Sequence, residues 1–307
     1  MSVLTATTTW AEMIKFGHSI FALPFAISGA FLAGRELEAG VPGWGQFALL
    51  ILCMVAARSV AMTFNRIVDA DVDARNPRTR NRPMPAGRIS RRQAWGFFVL
   101  CAGGFVLGCV GFGVFYGNYW PAILAVPVLA YLCGYSYCKF FTRWSHFYLG
   151  SAIALSPAAA WLAIDPASIG WPAVLLVGAV TMWIAGFDII YACQDLDFDR
   201  REGLHSLPAK LGPAAALWIA RGAHLLAVVL LAAVGVQTQL GWLYWIGVGI
   251  VAVLLAAENA IVHPHDFSRV NMAFFTVNGV VSVIMGIVTV ADILFALQSP
   301  FAIGGAA

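Results

Sequence analysis

The sequence predicts an all-α membrane protein of nine transmembrane helices, and three observations carry that prediction. Of the 307 residues, 61% are hydrophobic and only 11% are charged, and the mean hydropathy of +0.81 lies far outside soluble averages. The apolar runs are long enough to cross a hydrocarbon layer of about 30 Å. The charges gather in alternate connections between those runs, as a polytopic chain requires.

The elements follow in order along the sequence. The first run, 17–34, follows a Thr-rich start with Lys15 and His18; it has no obvious small-residue cleavage site, so it is read as a retained span and not as a signal peptide. The second, 47–64, leads into an acidic cluster. Runs 94–116 and 119–138 are separated only by a turn around Gly117 and Asn118, which predicts an antiparallel hairpin. Runs 147–164 and 171–192 come next, the latter ending at a second acidic cluster. Runs 214–236, 240–257 and 271–297 complete the set, and Trp, Gly and Pro near several ends fit interfacial anchors and helix breaks. The expectation is one membrane domain over 1–307, with functional loops at 65–92 and 193–212. The six cysteines show no paired ligand spacing and fall mostly inside spans, so they are expected to be buried and reduced.

Fifteen of the eighteen Lys and Arg residues lie at the amino terminus or after runs two, four, six and eight. That bias puts the amino terminus and both acidic clusters on the cytoplasmic side, and an odd number of spans puts the carboxyl terminus outside. The net charge of +3 hides this polarity. Nothing in it points to a nucleic-acid partner, and the basic loops suit contact with anionic lipid.

Six of the fifteen acidic residues form two matched Asp-x-Asp-x-Asp clusters, Asp69, Asp71, Asp73 and Asp195, Asp197, Asp199. Carboxylates so concentrated repel one another unless a cation or hydrogen bonds offset them. Residues four apart share a helix face, so a cytoplasmic extension of the second span would project Asn65, Asp69 and Asp73 together, and Asp195 and Asp199 repeat the spacing. Two such helix ends suit Mg2+, which takes carboxylates while keeping positions for phosphate oxygens and water. Asp71 and Asp197 point aside. The Pro-punctuated stretch 76–87 predicts a loop whose Arg78, Arg80 and Arg82 are placed to pair with a multiply charged anion. Lys139, at the end of the fourth span, is placed to reach the same anion.

Arg58 precedes Asn65 by seven residues and Asp188 precedes Asp195 by seven, so each should lie on its motif's face two turns deeper. Arg58 suits an acceptor carboxylate and Asp188 suits its orientation or a proton. The alternative is a buried structural pair between two helices. Arg221 and His224 read as a polar contact between helices.

Residues 65–73, Asn-Arg-Ile-Val-Asp-Ala-Asp-Val-Asp, with Arg78 to Pro83 following, resemble the first signature of the UbiA superfamily of intramembrane aromatic prenyltransferases. Residues 188–199, Asp-Ile-Ile-Tyr-Ala-Cys-Gln-Asp-Leu-Asp-Phe-Asp, resemble the second. The resemblance implies a helical bundle around a central cavity open to lipid, in the bacterial inner membrane, with polyprenyl diphosphate bound through Mg2+. It assigns Asp69, Asp73, Asp195 and Asp199 to metal and catalysis, and Asn65 and Lys139 to the diphosphate; Arg82, from the loop, and Arg143, the next base after Lys139, are added as candidate diphosphate contacts. Arg58 and Asp188 remain for the acceptor. Two departures stand out: Arg66 where the common form has Asp, and Lys139-Phe140 where many members have Lys-Arg. The implied reaction is prenyl transfer to an aromatic acceptor of quinone biosynthesis, with a 4-hydroxybenzoate-like acid as first choice and a menaquinone precursor of the futalosine route as alternative. An ion-coupled transporter is the reading of another class, against which the acids lie at helix ends and not near the midplane.

Overall fold

The computed structural model describes residues 3–15, 17, 21–264, 266–267, 270 and 273–298, and every named element among them is a helix. These are α1 (Val3–Met13), α2 (Leu23–Gly34), α3 (Trp44–Arg75), α4 (Arg91–Tyr116), α5 (Trp120–Cys138), α6 (Ser145–Ile164), α7 (Trp171–Ala192), α8 (Leu196–Glu202), α9 (Leu207–Leu211), α10 (Pro213–Gln237), α11 (Trp242–Ile261) and α12 (Asn278–Gln298). Eight are long and apolar enough to cross a membrane.

The first expected span, 17–34, is the exception. Its described helix, α2, covers 12 residues and opens with Pro24 in its first turn, where proline's fixed φ suits a helix start. Residues 16 and 18–20 lie outside the described residues, as do Arg269, 271–272 and 299–307. The last span begins with a π-helical turn, Ala273–Val277, before α12. All six cysteines are free.

The chain divides into two compact units, Met1–Ser19 with Ala48–Phe141 and Ile20–Phe47 with Thr142–Ala307. In the first, α4 starts at a capping box in which Ser90 and Gln93 satisfy each other's backbone N–H groups. It ends at Gly117, φ +70, with the Gly117 and Asn118 N–H groups donating to Gly113 and Phe112. That left-handed cap makes the expected turn into α5. The amino-terminal helix packs on the same unit: Met13 and Ile14 join Ile67, Ala70, Met84, Ile89 and Ala94 in one apolar cluster. The Trp10 and Phe97 rings lie 4.5 Å apart. Arg88 clamps Glu12 through two hydrogen bonds of 2.7 and 2.8 Å, which hold the Glu12 carboxyl below its usual range.

In the second unit α7 is the central helix, packed chiefly against α6 and α10. Lipid offers no hydrophobic drive between helices, so close approach through small residues supplies the packing. A Cβ on Gly150 would lie 2.5 Å from the Thr181 carbonyl oxygen, and one on Gly186 would lie 2.2 Å from the His224 ring. Buried polar groups pair across helices: Asn259 Nδ2 donates to His224 Nδ1 at 2.7 Å, and Arg221 reaches the Asn259 carbonyl at 3.5 Å. Trp183 Nε1–H donates to Asn278 Oδ1, and Asn278 Nδ2 donates to Glu258, both at 2.7 Å. The expected helix-to-helix role of Arg221 and His224 agrees with this.

Candidate functional site

The 32-residue α3 carries the first acidic motif on an unbroken helix, so Asn65, Asp69 and Asp73 share one face, all buried. Their charge is answered locally. Asn65 Nδ2 donates to Asp69 Oδ2 at 3.0 Å, and Lys139, the residue that ends α5, brings its Nζ to 2.6 Å from Asp69 Oδ1 as an ion pair. Arg82 Nη1 bridges both Asp73 oxygens at 2.8 and 2.7 Å. Arg66 lies 3.9 Å from the same carboxylate and donates to Asn65 Oδ1 at 3.4 Å.

The loop is folded back onto α3 by its own chemistry. Thr79 Oγ1–H donates to the Asp73 carbonyl at 3.0 Å, the Thr79 and Arg80 N–H groups donate to Asn76, and Pro83 and Pro85 exclude helix. This returns Arg82 to Asp73, nine residues back. Asp71 points outward, as its offset predicts, and pairs with Arg91 at 2.7 Å. Arg143 is exposed and lies over the Trp144 ring, 5.4 Å from its centroid, so this structure does not gather it with Lys139 and Arg82.

Bases exceed acids here. Burial first, and then the charges of Arg66, Arg82 and Arg78, hold the Lys15 ammonium below the ordinary lysine range. Arg58 spends one Nη2–H on the Lys15 carbonyl at 3.2 Å, while its Nε is buried without a hydrogen-bond partner. A multiply charged anion is what such a cluster lacks.

The second motif lies in the other unit. It departs from the expected continuous helix: Cys193–Asp195 tighten into a 3-10 turn, and Asp195 becomes the residue before α8. A tighter turn shifts Asp195 around the axis relative to Asp199. Beneath it, Ile189, Ile190, Cys193, Leu207, Leu217 and Val262 form a buried apolar base. Asp188 is engaged by His146, whose Nδ1 lies 2.7 Å from Oδ2, a partner that nothing in the sequence signals. Arg58 and Asp188, expected to approach each other, fall in different units and have these partners of their own.

Among the described residues no three His, Cys, Asp or Glu side chains form a ready metal cage. Mg2+ does not need one: it keeps its waters and binds through one or two carboxylates plus substrate phosphates. The buried, all-oxygen pair Asp69 and Asp73 fits that requirement once Lys139 and Arg82 turn to a phosphate.

Comparison with known proteins gives a consistent result. Residues 22–301 match the model of the UbiA prenyltransferase family. A 4-hydroxybenzoate octaprenyltransferase of Xanthomonas oryzae pv. oryzae is 32% identical over 227 residues, 73% of this chain and 72% of that protein. The protein of the same name from Chromohalobacter salexigens is 28% identical over 236 residues, 76% of each. The apo structure of a UbiA homolog from Aeropyrum pernix K1 superposes with a TM-score of 0.75 and 28% identity, covering 91% of this chain and 98% of that one. A UbiA homolog from Archaeoglobus fulgidus bound to GPP and Mg2+ shares the fold, with a TM-score of 0.69 and 17% identity over 92% of this chain and 99% of that one.

Proposed function

The chain belongs to the UbiA prenyltransferase family and is an integral membrane enzyme, and we propose that it transfers a polyprenyl group from polyprenyl diphosphate to the ring of 4-hydroxybenzoate in quinone biosynthesis. The observation that carries the reading is the buried Asp69 and Asp73 pair neutralised by Lys139, Arg82 and Arg66. Those bases and acids are a matched set for exchange. With the carboxylates holding a divalent ion, the Lys139 ammonium and the Arg82 guanidinium would be free to bind the diphosphate oxygens. The names of the relatives support the acceptor.

In this reading Asp69, Asp73, Asp195 and Asp199 would hold Mg2+, and Asn65 orients Asp69. The ion would supply neutralisation of the leaving diphosphate. Lys139 and Arg82 would share that charge, so that the allylic carbon–oxygen bond can ionise. Arg58, about 10 Å deeper than Asn65 by seven residues of helical rise, receives the acceptor carboxylate through the donors its neighbours leave unused. Arg143 stays at the rim. The proposal takes residues 1–307 as one catalytic domain in the inner membrane, with both acidic motifs on the cytoplasmic face.

The test is radiolabelled prenyl transfer in membranes. Asp69→Ala, Asp73→Ala, Asp195→Ala and Asp199→Ala should each nearly abolish product while the protein stays folded in the membrane, and EDTA should do the same to the wild type. Full activity after EDTA treatment without added divalent ion would remove the mechanism. A panel including a fused-ring menaquinone precursor would reveal an acceptor other than 4-hydroxybenzoate.

A further inference from the structure

His146 and Asp188 form a pair outside both sets of metal carboxylates. His146 is the second residue of α6 and its side chain is 5% exposed, while that of Asp188, on α7, is 22% exposed. The Leu207 backbone N–H, at the start of α9, points at the other ring nitrogen, Nε2, across 3.3 Å. A backbone amide only donates, so Nε2 carries the lone pair and the ring proton sits on Nδ1, directed at Asp188 Oδ2. The Leu207 N–H thus favours this tautomer, and the imidazole has a hydrogen-bond partner on both sides.

This pair is arranged unevenly. His146 is buried and engaged at both ring nitrogens. Asp188 receives one N–H on Oδ2, and among the described residues no donor meets Oδ1. A carboxylate oriented through one oxygen and open at the other is placed to accept a proton. The Leu207 contact also ties the pair to the segment that leaves the second acidic motif.

We propose that Asp188 is the base that takes the proton displaced from the acceptor ring, and that His146 is the residue that positions it. The proposal rests on the aromatic-acceptor reading above. In the step, the allylic carbon–oxygen bond breaks and diphosphate leaves with the electron pair, while an aromatic ring carbon bonds the allylic carbon. The carbon–hydrogen bond at that ring position then breaks, its electrons restore the ring, and the proton passes to Asp188 Oδ1. Water later removes it. His146 neither gains nor loses a proton throughout.

Steady-state kinetics of the purified full chain with Mg2+, prenyl diphosphate and 4-hydroxybenzoate test this through Asp188→Asn, His146→Leu and His146→Gln. Asp188→Asn should lower kcat about a hundredfold, and His146→Leu about tenfold, with little change in KM for prenyl diphosphate. His146→Gln should restore kcat, because the carboxamide can donate to Asp188 and accept from Leu207 without titrating. Wild-type kcat in Asp188→Asn would overturn the proposal and leave the diphosphate as proton acceptor. Equal losses in the Leu and Gln variants, or a rise in KM for prenyl diphosphate matching the fall in kcat, would overturn it too by making His146 a clamp for the second motif. A wild type that hydrolyses prenyl diphosphate yet prenylates no aromatic acid on the panel would instead sink the acceptor reading, and this proposal with it.

Discussion

Arg66 and Arg82 reach the same carboxylate from two directions, one along α3 and one from the loop that follows it. A guanidinium nitrogen shared by both oxygens of a buried carboxylate is a charge-assisted contact, which a metal ion at Asp73, in the proposed function, would have to displace. Lys139 meets Asp69 in the same way. The proposed function separates the roles of the bases by depth. Arg58→Leu should raise KM for the aromatic acid much more than KM for prenyl diphosphate, and Lys139→Ala should do the reverse. Loss of a charge-assisted hydrogen bond of roughly 1.5 to 3 kcal/mol makes each effect about ten- to a hundredfold. An acceptor analogue lacking the carboxylate is the control: equal losses on the acid and the analogue would make Arg58 structural. The grouping of Asp69, Asp73 and Arg82 was legible because helical spacing and a loop return are local, and Lys139, which meets Asp69 from another helix, was legible from its place at a span end. His146 was not, because its contact with Asp188 spans 42 residues and a lone histidine at a helix start carries no periodic signal. Arg66 stood out only as a departure from the common motif, and the structure shows it buried beside Asp73.

At the scale of elements, span positions were legible because hydropathy records them, whereas helix contacts were not, because glycine reads alike at a crossing and in open lipid. Gly150 and Gly103 make the contrast measurable. A Cβ at Gly150 would meet the Thr181 carbonyl oxygen at 2.5 Å and the Ala185 nitrogen at 3.2 Å, while one at Gly103 would meet nothing within 4 Å. The first obstacle is backbone of α7, which has no rotamer to change. Gly150→Ala should therefore destabilise the second unit by roughly 1 to 3 kcal/mol as α6 is pushed off α7. Gly103→Ala, inside α4, should be neutral or gain up to about 1 kcal/mol from helix propensity. Thermal unfolding in detergent reads both, and a lower Tm for Gly103→Ala than for Gly150→Ala would mean that the crossing is not tight. The 3-10 turn at Cys193–Asp195 is another feature that spacing alone could not give, since a four-residue repeat fits a straight helix equally well.

For the whole molecule, one ion pair decides how many times the chain crosses the membrane. Glu12 and Arg88 are joined at 2.7 Å, so residues 12 and 88 lie on one side of the bilayer. Between them α3 crosses once, so the chain between residues 13 and 44 must cross once as well. A helix of 12 residues rises about 18 Å, short of a hydrocarbon layer of about 30 Å. Nine crossings therefore stand, although eight helices are individually long enough. The orientation proposed from the bias of the bases is open to a labelling test. In a background lacking the native cysteines, Glu12→Cys, Arg80→Cys and Glu202→Cys should be labelled by an impermeant maleimide only from the cytoplasmic face, and Asp165→Cys only from the other. The Glu12 arm carries the most weight. Labelling of Glu12→Cys from the face opposite to Arg80→Cys would mean that α2 does not cross and that the contact between Glu12 and Arg88 does not form in the membrane. Labelling of Arg80→Cys and Glu202→Cys from opposite faces would separate the two acidic motifs, and no metal site could then draw on both.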